Sequence, residues 1–129
     1  MLSVDTNVLI RVLVDDPSAP EQCRIARQAV SDAGEVFVCQ VVQTETVWVL
    51  ASAYGLSKKR LRDTLSVIAD HPAFHLQRQD VFRAALENYA ASSADFADCM
   101  ILAESVSAGC VVVSFDRKLT KLEGVRELK

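Results

Sequence analysis

The sequence is as informative in what it lacks as in what it holds. It has two histidines, His71 and His75, and neither lies near a cysteine in the chain. Its four cysteines, Cys23, Cys39, Cys99 and Cys110, include no CxxC pair, so the spacing of a zinc site is missing and reduced, small-apolar roles are expected. There is no G-x-S-x-G elbow and no Cys–His spacing that would signal nucleophilic catalysis. No apolar run approaches the roughly 18 residues needed to span a bilayer. The opening Met1-Leu2-Ser3-Val4-Asp5 has neither the basic region nor the apolar core of a signal peptide, so a cytoplasmic protein without a membrane partner is expected. A basic excess is absent too: net charge is −3, unlike a domain that binds nucleic acid through its overall field. Repeats, low-complexity tracts and linkers are also lacking, and 129 residues suit one domain, 1–129.

What is present is an alternation of short apolar runs with helical patterns. Leu2–Val4, Val36–Cys39, Ala73–Leu76, Val111–Val113 and Val125–Leu128 read as strands. Helices are expected from Asn7 to Leu13, from about Ala19 to Ala33 with Gly34 as the stop, and from Val41 to Tyr54. A further one follows a Ser57 cap, another spans Asp80 to Tyr89, and a last one opens at Ser92-x-x-Asp95 and reaches Ala108. The pattern implies an α/β chain with a mainly parallel sheet of four to five short strands covered on both faces, where ligands bind beyond the carboxyl ends of the strands.

Four acids occupy positions where a carboxylate is costly or pointed. Asp5 directly follows the first strand, and Asp116 lies just beyond the Val111–Val113 run. Glu45 shares its helical face with Val41, Val42, Trp48 and Val49, which suggests a carboxylate inside an apolar stripe. Asp98 sits in the first turn of an apolar helix, deeper than Asp95, whose expected place is the cap or the rim. Each has an ordinary structural explanation when taken alone: a turn, a cap or an ion pair. Together they have no resident counter-charge nearby in sequence, and carboxylates held side by side need cations. An all-oxygen set of this kind suits Mg²⁺ or Mn²⁺. Two basic groups, Lys58, Lys59, Arg60 and Arg62, and Arg117, Lys118 and Lys121, are either solvated surface or phosphate contacts.

The ordered motifs Val4-Asp5-Thr6-Asn7-Val8-Leu9-Ile10, Thr44-Glu45, Asp95-Phe96-Ala97-Asp98-Cys99-Met100-Ile101 and Ser114-Phe115-Asp116-Arg117-Lys118-Leu119 span the chain. In them it resembles a PIN-domain ribonuclease, most closely the VapC-type toxins of bacterial toxin–antitoxin pairs. The resemblance implies a three-layer α/β/α sandwich and a metal-binding, catalytic set of Asp5, Glu45, Asp98 and Asp116. Thr6, Asn7 and Ser114 become supporting polar residues, Ser114 standing where many members carry Thr. Also implied are a Mg²⁺ or Mn²⁺ cofactor, an RNA substrate, a homodimer and inhibition by a small cognate antitoxin. A fifth family acid that sometimes lies two residues past the last Asp is Lys118 here. Three other readings compete. A receiver domain would need an acidic pair after the first strand, and a dehalogenase-type phosphatase would need Asp in place of Asn7. A PIN-fold binding protein without nuclease activity is the third.

Overall fold

In a computed structural model all residues, Met1–Lys129, are described, and they form two compact units, Met1–Gln77 and Arg78–Lys129. The first begins with β1 (Leu2–Ser3) and α1 (Thr6–Leu13), continues through α2 (Pro20–Ala33), β2 (Val36–Val38), α3 (Gln40–Ser52) and α4 (Lys58–Asp70), and ends with β3 (Phe74–Leu76). Its strands pair in parallel in the order β1-β2-β3, with Leu2 opposite Val36 and Val36 opposite Phe74. The second unit holds α5 (Gln79–Ala91), α6 (Phe96–Ser107), β4 (Val112–Ser114), a single 3₁₀ turn (Leu119–Lys121) and β5 (Val125–Glu127), with β4 and β5 parallel. The expected α/β class, the parallel pairing and the five strands are all present. Their ladders are two, of three and of two strands. No helix is long and apolar enough to cross a membrane.

Local chemistry explains most boundaries. Asp5 caps α1, its Oδ1 accepting the Val8 N–H at 2.9 Å, and Ser57 caps α4 by accepting the Arg60 N–H. Pro20 opens α2, and Gly34, at φ +77°, closes it in a conformation that suits a residue without Cβ. The expected capping box at Ser92 is not formed. Ser92 is instead the C-cap of α5, just past its last residue Ala91, its hydroxyl donating back to the Asn88 carbonyl, and Asp95 occupies the N-cap of α6 without a side-chain hydrogen bond there. In the four-residue link between the two helices the hydroxyl donates to the carbonyl behind it at 2.7 Å and accepts the Ala94 N–H at 3.3 Å, so it closes α5 rather than opening α6.

The first unit is built around Leu9, Ile10, Val36, Val38, Leu50, Leu65 and Ile68, all buried. A polar clasp holds the end of α1. Arg11 donates to Gln22 on α2, to Asp16 and to the Tyr54 hydroxyl, and that hydroxyl in turn donates to Asp16 at 2.8 Å. In the second unit α5 and α6 pack through Phe82 and Phe96, whose rings meet edge to face at 5.7 Å, and Tyr89 meets Phe96 in the same way. β4 departs from expectation. Val111 and Val113 are exposed, at 68% and 47%, so this run is not covered on both faces. A continuous apolar run is ambiguous between a doubly buried strand and an open one, and here alternate side chains point outward.

Candidate active site

In the first unit the acids sit at the carboxyl ends of parallel strands. Asp5 follows β1, and α3 leaves the end of β2 so that Glu45 falls in its second turn. The two are linked through Thr6, whose hydroxyl donates to Glu45 Oε1 at 3.0 Å. Glu45 is exposed, as are Val41 and Trp48 on its face, so the apolar stripe expected to bury it is a surface one. The face α3 turns inward carries Val42, Gln43, Thr46, Val47 and Leu50. Because α3 is apolar on nearly every side, spacing alone does not say which side is covered.

Two residues that carry no signal in the sequence place this helix. Gln43, 2% exposed, donates from Nε2 to the carbonyls of Val38 and Gln77, at the carboxyl ends of β2 and β3. Gln77 Oε1 accepts the Gln40 N–H at the first turn of α3. The start of α3 is therefore pinned to the strand ends, two residues before Glu45. Asn7 is exposed and lines a cavity of about 280 Å³ with Val8, Arg11, Gln22 and Ile25.

In the second unit the charges of Asp95 and Asp116 both reach the Asp98 carboxyl. Partial burial, first, and then the charges of Asp95 and Asp116 push the Asp98 carboxyl above its ordinary value. Asp98 is half-buried and Asp95 exposed, as the sequence suggested. Asp116, two residues past β4, accepts the Lys118 and Leu119 N–H groups on Oδ1, and its own N–H donates to Ser114 Oγ at 2.9 Å. Ser114 therefore shapes the turn that carries Asp116.

No ion pair neutralises Asp5, Glu45, Asp95, Asp98 or Asp116. Asp5 and Asp116 each use one carboxylate oxygen for a backbone turn and leave Oδ2 without a protein partner. Glu45 Oε2 is equally open. These are hard oxygen donors without counter-charge, which fits Mg²⁺ or Mn²⁺ and not zinc. No three acids, histidines or cysteines stand together as a finished metal-holding group. The fit is thus one of donor chemistry. Lys58, Lys59, Arg60, Arg117 and Lys118 are exposed, and Arg62 is partly covered.

No curated protein matches the chain. The PIN-domain family model matches it over residues 2–125, taking in both units and all four acids. PIN domains are generally nucleases that act on RNA and typically use divalent ions. With a match over nearly its whole length, this chain belongs to the PIN domain family.

Proposed function

We propose that the chain is a divalent-metal-dependent endoribonuclease, acting through one nuclease domain over residues 1–129, with Asp5, Glu45, Asp98 and Asp116 as its metal-holding and catalytic set. The observation that carries this reading is a set of carboxylates at strand ends and a helix start that have open oxygens and no protein cation. Bound there, Mg²⁺ or Mn²⁺ would supply a water of lowered pKa and neutralise charge developing on the phosphoryl group. Thr6 holds Glu45 in one orientation, Ser114 holds the Asp116 turn, and Asp95 stands at the rim beside Asp98. Asn7 is a supporting polar residue next to Thr6. Lys58, Lys59, Arg60, Arg62, Arg117 and Lys118 bind RNA phosphates, which makes binding salt-dependent.

The biological setting that agrees with the motifs is a cytoplasmic toxin that inhibits translation, works as a homodimer and is held silent by a small cognate antitoxin. A binding-only PIN fold is the competing reading, and it draws on the lack of a preassembled acid trio. Incubation with a broad RNA panel separates the two. Cleavage with Mn²⁺ or Mg²⁺ that stops with EDTA and in Asp5→Asn or Asp98→Asn supports the enzyme. A folded preparation that cuts none of the panel under any metal condition supports binding alone.

A further inference from the structure

The outward face of α3 combines features that the carboxylates do not explain. Trp48, the chain's single tryptophan, is 70% exposed, and Val41, 66% exposed, lies on the same face seven residues earlier. Glu45 stands between them, and its side chain and that of Trp48 leave the helix one turn apart, roughly 5–6 Å between Cβ atoms. The indole N–H has no protein hydrogen bond; beyond the helix's own ladder, the Trp48 backbone carbonyl accepts from Ser52 Oγ. A large flat ring is therefore held in solvent, within one helical turn of a carboxylate assigned to phosphate chemistry.

Chemistry selects the occupant. A protein surface laid over this stripe would bury the ionised Glu45, which is costly without a paired cation, and interface cores are depleted of such charges. A nucleobase stacked on the indole covers the ring and leaves the carboxylate wet. Lys59 and Arg60, exposed and outside any ion pair, open the next helix of the same unit after a short loop and suit a phosphate backbone. We propose that Trp48 is a stacking platform for an unpaired base adjoining the phosphate handled at Glu45. This rests on the ribonuclease reading above. Base–aromatic stacking is sequence-tolerant, so the platform selects unpaired bases more than particular ones.

The sole tryptophan reports on its own occupancy. Emission is followed in EDTA while a short single-stranded RNA, or an abasic ribose-phosphate oligomer of equal length, is titrated, and binding is read separately by anisotropy of labelled RNA. Expected are saturable quenching by RNA and none by the abasic oligomer. Trp48→Ala should bind RNA about 10- to 100-fold more weakly, and Trp48→Phe within about 5-fold of wild type. Saturated binding with unchanged emission overturns the proposal, as does equal affinity for RNA and the abasic oligomer. Emission that instead follows protein concentration, with a second copy seen in sedimentation, also overturns it and assigns the face to self-association. The wild-type titration stands even if the variants fold poorly. Absence of RNA cleavage with every metal would fail the nuclease reading, whereas cleavage with no stacking signal fails only this one.

Discussion

Asp98→Asn separates the energetic role of the acids from the metal-holding one proposed for them. The amide is isosteric and forfeits no hydrogen bond, since the Asp98 carboxylate has none from the protein. It also removes a charge that burial, Asp95 and Asp116 all oppose. The site is partly solvated, so each like-charge relief is screened to the scale of exposed pairs, about 0.2–1 kcal/mol. For a chain of this size about 1 kcal/mol moves the melting temperature by about 3–5 °C. The variant should therefore melt about 1–4 °C higher than wild type in EDTA, and high salt should narrow the gap. If the proposed metal site is real, a divalent ion should reverse the order. At ten times its dissociation constant it stabilises the wild type by about 1.4 kcal/mol, or roughly 5 °C, and the variant much less. Thermal melts followed by circular dichroism, with and without Mn²⁺, test this directly. Equal metal-induced gains, or a variant that melts lower than wild type in EDTA, would refute the reasoning.

Thr6→Val removes the hydrogen bond to Glu45, worth about 0.5–1.5 kcal/mol, so cleavage should fall roughly 3- to 10-fold and the melting temperature by about 2–7 °C. Thr6→Ser should restore most of that activity. Hydrogen bonds from Ser18 and Tyr54, with Arg11 beside them, hold the Asp16 carboxyl at about 2, below its ordinary 3.8. Because the folded value is the lower one, this stabilisation is present above about pH 4 and is lost as pH falls toward 2. Acid unfolding of Asp16→Asn should accordingly be flatter across that window. Phe82→Ala, at a 1% exposed ring against Phe96, should cost about 3–5 kcal/mol in denaturant titrations.

Legibility in the sequence followed how local the cause was. The Ser57 cap, the Gly34 stop and the Asp5 and Asp116 turns depend on a few neighbouring residues, and all were readable. The closeness of Asp95 and Asp98 was readable for the same reason. Glu45 was singled out on a ground that the structure overturns: its stripe is exposed, and its side chain is held by Thr6, 39 residues away. Gln43 gave no signal, because its value lies in two carbonyls at the ends of separate strands. A glutamine amid valines reads as surface until those strand ends are in view.

The turn roles of Asp5 and Asp116 are no argument against the metal-holding role proposed for them. Each carboxylate has two oxygens, and in both residues the backbone amides take Oδ1 alone. An amide on one oxygen fixes the direction of the other, which is what a ligand for a geometrically demanding ion requires. Residues bound this way should divide under substitution. Asp5→Asn keeps an acceptor for the Val8 N–H and so should keep the fold while losing cleavage. Asp5→Ala should lose both the cap, at about 1 kcal/mol, and the activity. If Asp5→Asn unfolds as readily as Asp5→Ala, the charge itself rather than the acceptor holds the first helix, and the separation of the two oxygens' roles is wrong.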